Sequence, residues 1–273
     1  MCPRLFQIGP FTVYGYGLML AIGFIVGSYL LVNEFKRRKL DPNLANNITI
    51  VALIAGIVGS KILYLFENFN SFLADPLGMI FNPGGLTFYG GFILATYSIY
   101  VYSKVKNISF FTICDAIAPS LAIGYGIGRL GCHLAGDGDY GFPTTLPWGT
   151  DYSNGTYPPS IAFRDFPEIT SKFPGDIVPN NIPCHPTPVY EFILCALIFW
   201  FLWSIRKKTT PVGKLFSVYL ILVGCERFLI EFLRPNPRIF LIFSEAQMIA
   251  LLLIAFGALG WWKFKDSFPI KTT

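Results

Sequence analysis

Long apolar stretches recur along this chain and are separated by shorter polar segments. Seven of these stretches approach or exceed the roughly 20 residues that an α-helix needs to cross the hydrocarbon core of a bilayer. The pattern therefore predicts an all-α polytopic membrane protein with seven transmembrane helices. The predicted spans lie at about 11–34, 47–67, 86–104, 111–133, 187–205, 214–233 and 245–263.

The basic residues indicate how the spans are oriented. Lys36, Arg37, Arg38 and Lys39 follow the first span, and the segments after the third, fifth and seventh spans hold further lysines and arginines. The loop 68–85, on the opposite side, holds no lysine or arginine. Because basic residues accumulate in cytoplasmic loops, we expect the N-terminus outside and the C-terminus in the cytoplasm. The net charge of +5 is then a topology signal and does not indicate nucleic-acid binding.

Composition agrees with this class of protein. Of the 273 residues, 53% are hydrophobic and only 14% are charged, which excludes an ordinary soluble domain. Residues 1–10 do not look like the start of a cleaved signal peptide, so we expect the first span to be retained. The six cysteines include no C-x-x-C pair and do not form a disulfide framework.

One connection, 134–186, is much longer than the others and lies on the predicted outer side. It holds nine of the twenty prolines together with many Gly, Asn, Asp and Thr residues, so long regular helices are not expected there. Its aromatic side chains supply enough apolar surface for packing. We therefore expect a small irregular cap on the outer face, inserted into a single integral-membrane domain that comprises residues 1–273.

Polar side chains within the spans fall near the predicted outer ends. A transporter would instead place them near the middle of the membrane. The distribution therefore favours a site that opens to the outer leaflet. The residues concerned are Tyr16 in span one, Lys61 in span two, Tyr89 in span three, Arg129 and His133 in span four, and Arg227, Glu231 and Arg234 in span six.

Two arginines inside the spans point to an anionic ligand. An arginine in a spanning segment costs roughly 3 kcal/mol on insertion scales, so it usually marks a function or a partner. Arg129 lies in a glycine-rich run, and a guanidinium group can bind a phosphate through two parallel hydrogen bonds. Arg227 could complete a phosphate clamp from another helix, with Lys61 as a third cation or as a side chain that reaches the interface. The alternative is that each arginine pairs with a carboxylate and only holds the bundle together.

Spacing along the sixth span predicts one ion pair directly. Arg227, Glu231 and Arg234 are separated by four and three residues, so they share one helix face. An Arg227–Glu231 pair would shield both charges from lipid and orient the guanidinium group.

The two histidines flank the long connection, and each follows a cysteine. The pairs are Cys132-His133 and Cys184-His185. Their spacing fits no common zinc module, so no metal is predicted, and a Cys132–Cys184 disulfide is the better alternative. Either histidine could act as a general base near pH 7. For His185 a hydrogen-bonding role at the start of the fifth span is the other interpretation.

Five short segments stand in a specific order along the chain: Tyr16-Gly-Leu-Met19, Gly84-Gly-Leu-Thr-Phe-Tyr-Gly-Gly91, Gly128-Arg-Leu-Gly131, His185-Pro-Thr-Pro-Val-Tyr-Glu191 and Arg227-Phe-Leu-Ile-Glu-Phe-Leu-Arg234. In this order they resemble motifs of the bacterial prolipoprotein diacylglyceryl transferase family, over nearly the whole chain. Each segment alone is a weak signal, whereas the ordered set is specific.

The chain departs from the family motifs at several positions. Cys132-His133 stands where the family signature has Asn-Phe, and Asp137 stands where it has Glu. Tyr89 replaces the histidine of the family's Gly-Gly turn. Because a tyrosine hydroxyl is a poor proton acceptor near neutral pH, His133 is the nearest substitute if that histidine is the base.

The resemblance implies an enzyme that transfers the sn-1,2-diacylglyceryl group of phosphatidylglycerol to the lipobox cysteine of a prolipoprotein, the first step of bacterial lipoprotein maturation. It implies a multi-pass protein of the cytoplasmic (inner) membrane with its active site facing the outer leaflet. We expect no cofactor, no metal and no nucleic-acid partner. The expected catalytic residues are Arg129, Arg227, Glu231, His133 and Tyr89. The expected substrate-binding residues are Arg129, Tyr16, Asp137, Arg234, His185 and Lys61.

Two other classes of function stay open at this point. One is a lipid or small-anion transporter, which would move its substrate without chemical change. The other is a catalytically inactive relative that binds lipoproteins, which the altered signature keeps open.

Overall fold

The computed structural model describes residues 1–9, 11–82, 84–208, 211–240 and 242–264. Most of these residues are helical. The helices are α1 (Gly15–Arg37), α2 (Pro42–Glu67), α3 (Phe69–Ala74), α4 (Pro76–Phe81), α5 (Phe88–Val105), α6 (Phe110–Ala135), α7 (Pro159–Ala162), α8 (Pro167–Thr170), α9 (Thr187–Ile205), α10 (Lys214–Ile230) and α11 (Glu245–Lys263). The strands are β1 (Arg4–Ile8), β2 (Phe11–Tyr14), β3 (Thr150–Asp151), β4 (Pro183–Cys184), β5 (Arg238–Phe240) and β6 (Phe243–Ser244).

The predicted class, a mostly helical membrane protein, is confirmed. Within the described ranges, five helices are long and apolar enough to cross a membrane, namely α1, α2, α6, α9 and α11. Helices α5 and α10, with 18 and 17 residues, coincide with the two other predicted spans. The seven-span arrangement and its orientation stay predictions, and the C-terminal lysines Lys265 and Lys271 lie outside the described residues.

Several boundaries differ from the predicted spans for local reasons. Span one was predicted from residue 11, but Phe11–Tyr14 pairs with β1 as an antiparallel hairpin and the helix begins at Gly15. β-Branched and aromatic residues favour this extended pairing. Helix α2 begins earlier than predicted because Pro42 suits a first helical turn, and the Asp41 carboxylate accepts from the Asn43 amide at 2.9 Å.

The chain divides into two compact units, one of residues 1–27 and 117–273 and the other of residues 28–116. In the 28–116 unit, α2 packs against α5 at Gly59 and Gly90, where a Cβ atom on either glycine would overlap the carbonyl oxygen of the other. Such close approach of two backbones is typical of membrane helix pairs. Whether the whole chain acts as one domain stays a prediction.

The 134–186 segment, in the other unit, has a small core of its own. Six buried residues form it: Tyr140, Tyr152, Phe163, Ile169, Val178 and Cys184. The rings of Tyr140 and Tyr152 stack with their centroids 4.0 Å apart, and β3 pairs with β4. The segment is thus packed and largely irregular, as its proline content predicts, while its place on the outer face stays a prediction. Cys132 and Cys184 are free thiols, so the disulfide considered above is wrong for this structure.

Candidate active site

One fully buried carboxylate lies at the centre of an arginine cluster in the 1–27 and 117–273 unit. Glu191, in the first turns of α9, is 0% exposed. Its Oε1 atom accepts from Arg227 Nη1 at 3.0 Å, and its Oε2 atom lies 3.2 Å from Arg129 Nε. Because Arg129 comes from α6 and Arg227 from α10, Glu191 brings together the two arginines that the sequence places on different helices.

Arg129 has further partners on its own helix. Its Nε atom donates to the Tyr125 hydroxyl at 2.9 Å, and the guanidinium carbon lies 4.9 Å from the centroid of the Tyr125 ring. The Tyr125 hydroxyl in turn donates to Glu191 Oε1 at 3.2 Å. Tyr125 therefore fixes the plane of the guanidinium group through both a hydrogen bond and a cation–π contact.

Asp139 holds the other side of the cluster. Its two carboxylate oxygens pair with two different arginines, Oδ2 with Arg129 and Oδ1 with Arg234. The short loop before it turns at Gly136 and Gly138, whose φ angles of 57° and 89° suit glycine. Burial alone would raise the pKa of Asp139, but Arg234 and Arg129 hold it below its usual value. The carboxylate is therefore ionised at neutral pH.

Glu231 fixes the orientation of Arg227. Its Oε2 atom lies 3.2 Å from Arg227 Nη2, so the ion pair predicted from the helical spacing is confirmed. Its Oε1 atom accepts from Ser244 Oγ and from Asn236 Nδ2, each at 2.6 Å. Ser244 also caps α11 through a capping box with Gln247, so this support is tied to a helix end.

Charges in the cluster balance, and part of the cluster remains accessible. Three guanidinium groups face three carboxylates, those of Glu191, Glu231 and Asp139. The side chains of Arg129 and Arg227 are 14% and 21% exposed, whereas those of Glu191 and Glu231 are fully buried. The buried carboxylates thus orient the arginines, and the accessible edges of the guanidinium groups can receive an oxyanion.

The sequence analysis placed the arginines correctly but missed three of their partners. Glu191 was noted as part of a motif but was not predicted to be a site residue. Asp139 was not selected because a glycine-flanked aspartate is also a common turn residue. Tyr125 carried a usable signal, since it precedes Arg129 by one helical turn.

Tyr16 borders an open cavity next to the N-terminal hairpin. The cavity has a volume of about 560 Å³. Gly131 lies close enough to Tyr16 that a Cβ on the glycine would be 3.2 Å from the Tyr16 Cα. The cavity is lined by Pro3, Arg4, Tyr14, Tyr16, Gly17, Ala135 and Thr156.

The two histidines both face tyrosines. The Nδ1 atom of His133 lies 3.0 Å from the Tyr152 hydroxyl, and that of His185 lies 3.4 Å from the Tyr190 hydroxyl. Burial lowers the pKa of His185. Both rings therefore have one nitrogen directed at a hydroxyl, which leaves Nε2 of each ring as the atom for proton transfer.

Asp137 lies beside Asp139. Its Oδ1 atom accepts from the Asp139 amide at 3.3 Å, and its pKa is raised by burial and by the neighbouring Asp139 carboxylate. Ligand atoms of Cys132, Asp137 and Asp139 lie within 4.8 Å of one another. A metal ion there would have to compete with the guanidinium groups of Arg129 and Arg234 for Asp139, which disfavours it.

Lys61 and Tyr89 belong to the 28–116 unit. The ammonium group of Lys61 donates to the carbonyl oxygens of Asn82 at 2.8 Å and Gly84 at 2.9 Å. Tyr89 lies in the first turn of α5, is 44% exposed and makes an edge-to-face contact with Phe88. Lys61 thus supports the turn that leads into α5, a contact that the sequence analysis did not predict.

Comparison with known proteins places this geometry in context. The family model for prolipoprotein diacylglyceryl transferase matches residues 3–263. A relative from Clostridium tetani is 34% identical over 258 residues, which covers 94% of this chain and 95% of the relative. Relatives from Leptospira interrogans and Prochlorococcus marinus are 29% and 32% identical and cover 94% and 96% of this chain and 90% of each relative. All three are named phosphatidylglycerol–prolipoprotein diacylglyceryl transferase.

Proposed function

The chain belongs to the prolipoprotein diacylglyceryl transferase family, and we propose that it transfers the sn-1,2-diacylglyceryl group of phosphatidylglycerol to the lipobox cysteine of a prolipoprotein. The observation that carries this proposal is the meeting of Arg129 and Arg227 on Glu191, with an accessible edge on each guanidinium group. Such a cluster suits a phosphodiester that must be held and then released as a more highly charged phosphate.

The arginines have separate tasks in this proposal. Arg129, held in plane by Tyr125, binds the headgroup phosphate. Arg227, oriented by Glu231, stabilises the negative charge that develops as the leaving group departs. Arg234 contributes a third positive charge from the other side of Asp139. Two fully buried carboxylates keep this arrangement fixed before the lipid arrives, so little reorganisation is needed during the reaction.

The reaction exchanges one bond at the lipid. The thiolate of the lipobox cysteine attacks the sn-3 carbon of the diacylglyceryl group, forming a carbon–sulfur bond. The carbon–oxygen bond to phosphate breaks, and glycerol phosphate leaves with the electron pair. The thiol must first lose its proton, because the thiolate is the nucleophile. His133 accepts this proton at Nε2, and Tyr89 is the alternative acceptor.

Other predicted residues bind the substrates. Tyr16, on the rim of the 560 Å³ cavity, donates a hydrogen bond at the headgroup. Asp137 and His185 lie on the segments that flank the arginine cluster and contribute polar contacts to the headgroup or the acceptor peptide. Lys61 supports the turn before Tyr89 through its two backbone contacts and provides positive charge in its own unit.

The membrane arrangement follows from the sequence and the helices together. We propose seven spans, the five long apolar helices plus α5 and α10, with the N-terminus outside and the C-terminus in the cytoplasm. The 134–186 segment then forms a cap on the outer face of the bacterial inner membrane. Phosphatidylglycerol reaches the arginine cluster from the outer leaflet, and the signal peptide of the prolipoprotein presents its lipobox cysteine there.

A reconstituted assay tests the proposal. Wild-type protein, labelled phosphatidylglycerol and a lipobox peptide should give a thioether product, and complementation of a strain that lacks its own diacylglyceryl transferase should restore growth. Arg129→Ala and Arg227→Ala should each lower activity at least about a hundredfold, in the range found when one donor to a developing oxyanion is removed. Near-full activity in both variants would contradict the phosphate clamp.

Matched variants separate the remaining alternatives. Arg164→Ala removes an exposed arginine of the 134–186 segment and should leave activity unchanged. His133→Phe should abolish turnover without loss of lipid binding, and retained turnover would assign the proton acceptor elsewhere. Binding of both substrates without product would identify an inactive relative. Flux of unmodified lipid in proteoliposomes would identify a transporter.

A further inference from the structure

Asp139 differs from the other carboxylates of the arginine cluster. Its side chain is 36% exposed, whereas Glu191 and Glu231 are fully buried. It also lies outside the helices, on the loop between α6 and β3. Asp139 is therefore the carboxylate at the accessible edge of the cluster.

The contacts of Asp139 resemble those of a bound oxyanion. One carboxylate oxygen pairs with Arg129 and the other pairs with Arg234. Two non-bridging oxygens of a phosphodiester present the same forked acceptor to a pair of guanidinium groups. A phosphate and the Asp139 carboxylate consequently compete for the same donors.

The backbone of Asp139 is anchored, while its side chain reaches the exposed edge. The Asp139 carbonyl oxygen accepts from Thr187 Oγ1 at 2.8 Å. The next residue, Tyr140, is buried in the core of the 134–186 segment, and its hydroxyl donates to the Tyr157 carbonyl at 2.7 Å. Rotation of the Asp139 side chain would thus free the two arginines without moving the loop.

Charge balance gives such a rotation a consequence. With Asp139 in place, the cluster of three arginines and three carboxylates is neutral. Once Asp139 turns away, the cluster carries one uncompensated positive charge. A phosphodiester carries one negative charge and restores neutrality, whereas an uncharged lipid cannot.

We propose that Asp139 is a specificity-determining residue of the phosphate site, occupying the anion position between Arg129 and Arg234 until an anionic phosphodiester headgroup displaces it. This inference rests on the proposed function, because it assigns the phosphate of phosphatidylglycerol to the same arginines. It adds that the site is filled by an internal anion before the lipid binds. Only a ligand that offers a forked oxyanion replaces that contact.

Removal of the internal anion provides the test. In Asp139→Asn the side chain keeps its size but no longer competes as an anion. The KM for phosphatidylglycerol and the inhibition constant of inorganic phosphate should both fall about fivefold, which corresponds to ~1 kcal/mol and to the upper end of measured values for exposed ion pairs. Asp139→Glu keeps the charge and should not lower either constant. Unchanged or raised constants in Asp139→Asn would overturn the inference.

Further arms keep the outcome unambiguous. Asp165→Asn removes an exposed aspartate that pairs with Arg164 at 3.5 Å and is the control for surface charge. Asp139→Ser removes the charge with a smaller side chain and replaces Asp139→Asn if that variant fails to fold. Stabilisation of the purified proteins by inorganic phosphate, measured as a shift in Tm, requires no turnover. If the wild type forms no thioether product, the proposed function fails, while the phosphate shift still decides the role of Asp139.

Discussion

Arg227 donates from Nη1 to Oε1 of Glu191 across 3.0 Å, although 36 positions separate the two residues in the chain. Glu191 is fully buried at the start of α9, and Arg227 lies near the end of α10. The pair joins two helices at the point where the arginine cluster is accessible. Its position makes Glu191 the structural reference for the whole cluster.

Glu191→Gln should therefore weaken both folding and activity. Removing one partner of a buried pair leaves the other charges uncompensated, and measured costs are about 3–5 kcal/mol for fully buried pairs. Because Arg129 and Arg227 are partly exposed, we expect a smaller loss of about 2 kcal/mol, seen as a lower Tm in detergent. The KM for phosphatidylglycerol should rise as well. Glu168→Gln, at an exposed glutamate, is the control, and equal behaviour of the two variants would argue against a central role for Glu191.

Ser244→Ala should disturb the arginine cluster from a distance. The variant loses the hydrogen bond to Glu231 and the N-cap of α11, and loss of a cap alone costs about 1 kcal/mol. Since Glu231 orients Arg227, kcat should fall more than KM rises. Ser244→Thr, which keeps the hydroxyl, should restore most of the activity. Ser71→Ala, at an exposed serine of α3, controls for the loss of a hydroxyl group. A purely structural role would lower Tm in Ser244→Ala and leave kcat unchanged.

Gly59→Ala tests the close packing of α2 against α5. Its Cβ would overlap the Gly90 carbonyl oxygen, so the helices would have to separate. Overpacking of this kind costs about 1–3 kcal/mol, and we expect a correspondingly lower Tm. Gly56→Ala lies on the same helix, where nothing is within 4 Å of the added Cβ. That control should be neutral or slightly stabilising, since alanine favours helix by about 1 kcal/mol over glycine. Similar thermal stability of both variants would contradict the packing described here.

Cys184 reports on the packing of the 134–186 segment. Burial, with a contribution from Asp151, raises the pKa of its thiol to about 12. At pH 8 the thiol is therefore almost entirely protonated, and its thiolate fraction rises only as the pH approaches that value. Alkylation by iodoacetamide, followed by mass spectrometry, should be slow at Cys184 and much faster at the exposed Cys2. Unfolding in denaturant should abolish the difference, and rapid labelling of Cys184 in the folded protein would show that this core opens readily.

Local patterns in the sequence determined the class of the protein and part of its site. Apolar runs gave the positions of the long helices to within a few residues, because a helix in a bilayer must be apolar over a fixed length. The Arg227–Glu231 pair followed from helical spacing, since residues four apart lie on one face. The glycine-rich run marked Arg129 for the same reason: the signal is contained in a short segment.

Only the tertiary structure decided which groups surround those arginines. Glu191, Asp139 and Arg234 lie on segments distant in sequence, and their meeting depends on how α9 and α10 rotate against α6 and on where one short loop turns. Lys61 illustrates the same limit, because its ammonium group binds backbone carbonyls that no side-chain pattern reveals. Hydrophobic periodicity specifies which face of a helix is apolar, but the pairing of charges between helices is set by packing.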